Sequence, residues 1–263
     1  MQKNMAKRVV TGLFIAMVVF TAIMIVMTFV NSKRLKQKHT INPDEVNLVQ
    51  LETLKGNIPD DALVAIITTE LGEIRAQLYP EYAPEAVANF RKLSDSGYYD
   101  GTFVYEIQKD VYLSGGCKYN VGSLPDGYNK DDECIEPEID KDLWPFKGSF
   151  MSCGFARTSF WEGRQIIYSG SRYMIAGSIE FTDEIKSEML EGKENTKIED
   201  TFIEYGGVPN ASQQMTIFAQ TYEGFDVLDK LLSLEADEET LQPVSDVEII
   251  KTEVCTYKES LEK

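Results

Sequence analysis

The sequence predicts a mainly β domain that closes into an antiparallel barrel with two helical lids, preceded by one membrane-spanning helix. Three observations lead to this prediction. Runs with strand periodicity recur from residue 62 to residue 255, two well-separated helical patterns interrupt them, and an uncharged apolar segment occupies residues 9–30. Many short strands with few helices are typical of closed all-β domains.

The apolar segment 9–30 contains 22 consecutive uncharged positions. At a helical rise of about 1.5 Å per residue it spans a hydrocarbon core of about 30 Å. A cleavable signal peptide is the alternative, but its apolar region is normally shorter and ends in small residues, which MTFVNSK does not offer. We therefore expect a basic tail (1–8), a transmembrane anchor (9–30) and a polar stem (31–60) before the domain.

Charge is distributed unevenly along the chain. Seven basic and no acidic side chains precede residue 40, whereas the remainder carries 19 basic and 43 acidic side chains, a net charge of −24. This acidity argues against nucleic acid as a partner, because phosphate contacts need a basic surface. The basic residues flanking the anchor are nearly balanced, but long domains cross the membrane largely regardless of them. We expect the domain to lie outside the cytoplasm, attached to the cell membrane.

Strand periodicity is clearest in residues 73–79, where Ile74, Ala76 and Leu78 alternate with polar neighbours. Residues 103–116, FVYEIQKDVYLSGG, predict a strand pair beside a cleft, with the carboxylate of Glu106 in the middle of the first run. The other predicted strands are 62–69, 147–155, 171–178, 215–220 and 244–255.

The two helical lids are predicted at 84–96 and 224–233. Pro84 suits a first helical position and Gly97 fits just past the end of the first lid. A surface helix is predicted within 181–192, with Thr182 as its cap. Residues 46–54 fit either a short helix or an extended arm. The predicted domain covers 61–257 and is followed by a short tail, 258–263.

The distribution of cysteine and histidine argues against metal and nucleophile chemistry. His39, the only histidine, lies in the stem, and the cysteines form no CxxC pair. A zinc site and a histidine-dependent triad are therefore not expected in the domain, and we predict no metal and no cofactor. In an oxidising compartment Cys117 and Cys134 are the pair we expect to form a disulfide; buried thiols that pack as small apolar groups are the alternative.

Six ordered segments resemble the cyclophilin-type peptidyl-prolyl isomerases. They are APEAVANFRKLSDSGYYDGT, the strand pair that follows it with its Gly-Gly, GSRYMIAGS, GGVPN, TIFAQTYEGFDVLDKL and VEIIKTEV. The resemblance covers about residues 62–255, and the helix at 181–192 is similar to an insertion of bacterial members. It implies a closed eight-stranded antiparallel barrel capped by the two lids.

The reaction that the resemblance implies needs neither a nucleophile nor a metal. Rotation about a prolyl peptide bond faces a barrier of about 18–20 kcal/mol because of amide resonance. An apolar pocket that excludes water, and a donor aimed at the prolyl nitrogen, both weaken that resonance. In the family the donor is an arginine that follows a histidine. Proline-containing peptide segments are the implied partners.

The resemblance places the catalytic positions at residues that depart from the family pattern. Tyr105 stands where the family has its histidine, and Glu106 where it has its arginine. An ionised carboxylate only accepts hydrogen bonds, so it cannot act on an amide nitrogen as a guanidinium does. Arg172 brings a guanidinium to the same cleft from another strand, either as a relocated donor or as the ion-pair partner of Glu106. Glu106 and Arg172 are thus the candidate catalytic residues.

The resemblance also assigns the remaining groove positions, and these too carry residues unlike the family's usual phenylalanine, methionine, glutamine, asparagine or tryptophan. They are Val111, Tyr112 and Ser114 on one wall, Cys153 and Gly154 on the opposite wall, Met174 in the strand of Arg172, and Asn210, Ala211 and Met215 beyond it. We expect a membrane-anchored isomerase that assists the folding of exported proteins, weakened by these changes. A non-catalytic peptide-binding module of the cell envelope, and a purely structural envelope role, are the alternatives.

Overall fold

The computed structural model describes residues 41–118, 135–159 and 164–263, and residues Pro43–Lys263 form one compact unit. Its centre is a nine-stranded antiparallel sheet. The strands are β1 (Leu63–Thr69), β2 (Gly72–Leu78), β3 (Thr102–Val104), β4 (Glu106–Gln108), β5 (Tyr112–Gly115), β6 (Ser149–Ser159), β7 (Arg164–Ala176), β8 (Ile217–Glu223) and β9 (Val247–Thr256). They are hydrogen bonded in the order β3-β9-β1-β2-β8-β6-β7-β5-β4.

The sheet curls into a nearly closed barrel because its two edge strands, β3 and β4, are consecutive in the chain. Only Tyr105 separates them. The N–H of Phe103 donates to the carbonyl of Cys117 at 2.8 Å, and the N–H of Tyr105 donates to the carbonyl of Ser114 at 3.0 Å. The residues beside β5 therefore meet β3. Nine strands are observed where eight are predicted, because Tyr105 interrupts the segment that β3 and β4 share.

Two helices cover the barrel where the sequence predicts lids. The helices of the described residues are α1 (Gln50–Leu54), α2 (Pro84–Asp95), α3 (Asp183–Leu190), α4 (Lys197–Tyr205), α5 (Phe225–Leu232) and α6 (Tyr257–Ser260), with short 3-10 turns at Pro43–Glu45 and Pro209–Ala211. Helix α2 contributes Val87 and Phe90 to the core, and α5 contributes Leu228 and Leu231. The predicted cap of α3 is confirmed, since the Ile185 N–H donates to the hydroxyl of Thr182. Helix α4 is not predicted by the sequence.

The barrel interior is filled by aromatic rings in mutual contact. Ring centroids lie 5.1 Å apart for Phe90 and Tyr99, 5.5 Å for Phe150 and Tyr173, and 5.4 Å for Phe90 and Phe218. Tilted and edge-on contacts of this kind add to the free energy gained by burial. With its interior filled, the barrel leaves the outer face of the sheet for binding.

The amino-terminal part of the compact unit differs from the predicted stem. Residues 31–60 are predicted to be a polar spacer, but the part from Pro43 onward packs on the barrel. Val46 and Gln50 are 3% and 0% exposed. We call residues 43–60 the arm. At the other end, the Arg75 guanidinium donates to the carbonyl of Ser260 at 3.0 Å, so the predicted tail 258–263 also docks in part.

In the three described ranges, no helix combines the length and the apolar character that a membrane crossing requires. The predicted tail 1–8 and anchor 9–30 lie outside the described residues, as does Cys134 of the predicted disulfide.

Candidate active site

A row of side chains crosses the outer face of the barrel over five strands. Glu106 of β4 is paired with Ser114 of β5, Ser114 with Met174 of β7, Met174 with Met151 of β6, and Met151 with Ile217 of β8. Residues directly opposite each other in a sheet project from the same face. Their neighbours Ile107, Leu113, Phe150, Tyr173 and Ile175 project into the core instead. The row is therefore the floor of the candidate groove, polar at one end and apolar at the other.

The polar end is organised around the carboxylate of Glu106. The hydroxyl of Ser114 donates to one carboxylate oxygen at 3.0 Å, and the hydroxyl of Tyr112 donates to the other at 3.1 Å. Ser114 is completely buried, whereas Glu106 and Tyr112 are half-buried. Burial and, next, the negative charge of Glu106 raise the pKa of Tyr112 to about 12, because both disfavour the phenolate. The arrangement fixes an acceptor, not a donor, at this position.

Tyr105 and Cys153 form a second, buried pair beside this carboxylate. The hydroxyl of Tyr105 donates to the Cys153 sulfur at 3.7 Å. Burial raises the pKa of the Cys153 thiol to about 11, and the pKa of the Tyr105 hydroxyl is also raised chiefly by burial. Both groups are thus neutral at physiological pH, and Cys153 lacks the thiolate character that a nucleophile needs.

Arg172 lies on the same face of the sheet as Glu106, since it is two residues before Met174 on β7. Its positive charge lowers the pKa of Cys153, while the negative charge of Glu106 raises it. The charges of Arg172 and Glu106 therefore both act on the Cys153 thiol. The predicted separation of about 4–6 Å between the two charged ends, the range over which opposite charges shift each other's pKa, stays a prediction.

The apolar end of the groove brings together three further predicted positions. Met174, Ala211 and Met215 pack against a cluster that includes Met151 and Ile217. Sequence reasoning did not assign these last two residues to the groove. Met151 carried a usable signal, because it alternates with core-facing Phe150 in a predicted strand, whereas the place of Ile217 follows only from strand pairing.

The other predicted positions lie around these groups. Val111 is in the β4–β5 turn, where its carbonyl accepts from the N–H of Gly177 at 2.7 Å. A side chain at Gly177 would place its Cβ 2.1 Å from the carbonyl oxygen of Asp110, so only glycine allows this close approach. Gly154 is exposed next to a bulge in β6. Asn210 is exposed on the Pro209–Ala211 turn, and its carbonyl accepts from the side chain of Gln214.

A cavity of about 350 Å³ lies away from Glu106, between the arm and the start of the barrel. It is lined by residues such as Val49, Leu63, Tyr79 and Tyr82, and by none of the groove positions named above. Because Tyr79 and Tyr82 share a cluster with Met174 and Met215, the cavity adjoins the apolar end of the groove. We place the chemistry at the groove, where the charged and hydroxyl groups converge.

The profile of the family described as "Cyclophilin type peptidyl-prolyl cis-trans isomerase/CLD" matches residues 63–254, which is most of the chain. The chain belongs to this family. It is a mainly β, cyclophilin-like protein, and its homologues are peptidyl-prolyl cis-trans isomerases.

Bacterial relatives are similar over about three quarters of this chain. A protein of Staphylococcus epidermidis, provisionally described as a peptidyl-prolyl cis-trans isomerase, is 25% identical over 201 residues, which are 76% of this chain and 96% of that protein. A protein of Streptococcus pyogenes, provisionally described as a bifunctional phosphatase/peptidyl-prolyl cis-trans isomerase, is 28% identical over 72% of this chain. The match spans only 38% of that longer protein.

Solved structures share the fold. A cyclophilin-type isomerase of Cryptosporidium parvum superposes with a TM-score of 0.53 at 20% identity, covering 74% of this chain and 98% of that one. A second crystal structure of that protein, in the presence of the dipeptide Ala-Pro, gives a TM-score of 0.52 at 21% identity.

Proposed function

We propose that this cyclophilin-type chain is anchored in the cell membrane, binds proline-containing segments of exported polypeptides in the groove, and isomerises them slowly. Family membership supports peptide binding. The apolar end of the groove offers methionine side chains for a proline ring, and methionine adapts to irregular apolar shapes. Slow isomerisation is the part of the proposal that comes from this chain's own residues.

The observation that carries the proposal is the fixed carboxylate of Glu106. It occupies the position at which the family resemblance calls for an arginine, and its oxygens accept from Ser114 and Tyr112. Preorganised donors aimed at the reacting atom are usually the largest single contribution to catalysis. Here the two nearby hydroxyl hydrogens are directed at Glu106, so they are not aimed at a substrate amide.

Arg172 supports some remaining activity. Its guanidinium has up to five N–H donors, stays charged, and lies on the same face of the sheet as Glu106. If it reaches the prolyl nitrogen it acts as a relocated donor. If it pairs with Glu106 instead, it compensates a charge that would be costly to leave alone in a half-buried site.

A non-catalytic peptide-binding module is the second candidate function. The same carboxylate favours it, because a groove without a donor at the prolyl nitrogen can hold a peptide without lowering the rotation barrier. In that case the barrel serves to retain extended segments at the envelope.

The test is prolyl isomerisation of a proline tetrapeptide by the protein from residue 41 onward and by the full chain in mild detergent. A small but protein-dependent acceleration of the cis-to-trans phase is expected. Peptide binding without acceleration would select the binding module, and the absence of both would contradict the proposed function.

Membrane anchoring rests on the uncharged segment 9–30. We expect the full chain to sediment with membranes and to resist extraction by alkaline carbonate, whereas a chain beginning at residue 41 stays in the supernatant. Protease added to cells whose outer layers have been opened should digest the domain if it lies outside the cytoplasm. A full chain that carbonate extracts, or a domain protected until the membrane is lysed, would contradict the anchor or its orientation respectively.

A further inference from the structure

We infer that Glu106 makes the groove selective for proline-containing segments that carry a lysine or arginine close to the proline. The inference rests on the proposed function, because it takes the groove as the peptide-binding surface. It goes beyond that function by naming the class of segment that binds best and the residue that selects it.

The geometry of the carboxylate is the first argument. The Ser114 and Tyr112 hydroxyls occupy one acceptor position on each oxygen, at 3.0 and 3.1 Å. An ionised carboxylate offers roughly four such positions, so acceptor positions remain on a side chain that is only half-buried. The two donors hold the carboxylate in one orientation, so a bound cation does not have to order it first.

The charge of the site is the second argument. Ser114 and Tyr112 are neutral donors and do not cancel the negative charge of Glu106. Arg172 could do so, and it lies two strands away and two residues farther along. With strands about 4.8 Å apart and about 3.4 Å per residue, the two Cα atoms are separated by roughly 12 Å. An ion pair therefore needs both side chains extended toward each other across β5.

The surroundings suit the long side chain of a basic residue. Met174, the half-buried neighbour of Ser114 in the row, offers apolar contact to a proline ring or to an aliphatic stem. Lysine and arginine bury their stems along apolar surfaces and keep the charged end beside a partner. The acidity of the domain also attracts basic segments from a distance, which increases the rate of encounter.

The experiment compares three peptides that differ at one position next to the same proline: lysine, its uncharged analogue norleucine, or glutamate. Dissociation constants are measured with the full chain in mild detergent, first with the variable residue before the proline and then after it. At one of these positions we expect lysine to bind about three- to fivefold more tightly than norleucine, the range of a partly exposed ion pair. Glutamate should bind more weakly than norleucine, and the lysine advantage should shrink as salt is added.

Two variants assign the effect to its residue. Glu106→Gln keeps the size of the side chain and removes its charge, so it should make the affinities for the lysine and norleucine peptides equal; the ratio of the two dissociation constants is the readout. Glu188→Gln is the matched control, because it removes the same charge from an exposed position of α3; it should leave the advantage intact.

Each outcome decides between the two proposals. Equal affinities for lysine and norleucine at both positions in the unmodified protein would overturn the inference while leaving peptide binding established. A lysine advantage that survives in Glu106→Gln would assign it to the general acidity of the domain and would also overturn the inference. If no peptide binds, norleucine included, the proposed function fails and the inference with it.

Discussion

Glu106 shows how one residue can alter a site without altering the scaffold around it. The hydroxyl of Ser114 is completely buried and donates to this carboxylate. A buried donor that loses its acceptor costs about 1–3 kcal/mol, so Ser114 and Glu106 stabilise the groove as a pair. Any substitution at position 106 changes both the chemistry and the hydrogen bonding of the groove floor.

Replacing Glu106 with arginine should raise isomerase activity above that of the unmodified protein. The change restores a donor where the family resemblance places one, and removal of a single such donor from an enzyme typically costs about 10²–10³ in rate. The gain should be smaller than this, because Val111 and Ala211 still shape a different pocket and Ser114 loses its acceptor. The double change Glu106→Arg with Arg172→Gln should be faster still, since it avoids two neighbouring positive charges. Initial rates at equal concentration are the measurement.

Three indistinguishable rates from folded proteins would show that position 106 does not limit catalysis. The rest of the groove, including Met174 and Met215, would then set the rate. Circular dichroism of each variant serves as the control for folding.

Titration of Tyr112 should report on the same carboxylate. Its pKa is raised from 10.0 to about 12, first by burial and then by Glu106. Glu106→Gln should therefore lower this pKa while leaving it above 10, because burial persists. The measurement is the ultraviolet absorbance of tyrosinate against pH, with Tyr112→Phe subtracted to isolate this phenol. An unchanged pKa in Glu106→Gln would show that the carboxylate does not act on Tyr112.

The raised pKa of Tyr112 also predicts how the stability of the protein changes at alkaline pH. Because the pKa of Tyr112 is higher in the folded state than in the unfolded chain, the unfolded state loses its proton first as pH rises. The contribution to stability is therefore fully present below about pH 10 and is lost as the pH rises toward 12. Stability curves of Tyr112→Phe and of the unmodified protein should converge or cross over this interval. Curves that stay parallel throughout it would contradict the shift.

At the scale of single elements, the buried amide of Gln50 is one of the groups that tie the arm to the barrel, beside the hydroxyl of Thr53. The side-chain nitrogen of Gln50 has two N–H groups, which are shared among three acceptors: the carbonyl of Trp144 at 2.8 Å, and Ser149 and Gln220, each at 2.9 Å. Its oxygen accepts from the N–H of Trp144 at 2.6 Å. Buried polar groups of this kind are stabilising only while every partner is present. The short helix α1 thus depends on the barrel, and the barrel depends on it.

Gln50→Ala should lower the free energy of unfolding by about 2–4 kcal/mol, because it leaves the Trp144 N–H without its acceptor and opens a cavity. Gln108→Ala is the matched control, since Gln108 is exposed on β4 and should change stability by less than about 0.5 kcal/mol. The measurement is the urea midpoint at an unchanged m-value. Equal losses from the two variants would mean that the arm is not held by this amide.

At the scale of the whole molecule, the question to test is where the folding unit begins. A protein that begins at residue 61, the predicted domain boundary, lacks the arm and exposes Trp144, Ser149 and Gln220 to solvent. We expect it to melt roughly 6–12 °C below a protein that begins at residue 41. Loss of the arm should lower the free energy of unfolding by about 3 kcal/mol, and each kcal/mol lowers the melting temperature by about 2–4 °C. Differential scanning calorimetry of the two proteins makes the comparison. Identical melting temperatures would show that the arm does not stabilise the barrel and acts only as a spacer.

The sequence by itself determined most of the strands, the two lids and the cap of α3, whereas the first half of β7, residues 164–170, was not predicted. These features depend on neighbours a few residues away, namely alternation along a strand, a proline at the first helical position and a hydroxyl before a helix. The same locality explains why the β4–β5 pair was predictable, since Glu106 is only eight residues from Ser114 and six from Tyr112. The family resemblance added the order of the segments and the groove positions.

The tertiary structure alone decided which distant segments meet. Gln50 contacts partners that are 94, 99 and 170 residues away in the sequence. No periodicity in residues 46–54 predicts these contacts. The row that runs from Glu106 to Ile217 likewise depends on the register of five strands that are scattered over the chain. Because a shift of one residue in any pairing would move a side chain from the groove to the core, register had to be observed and could not be inferred from local pattern.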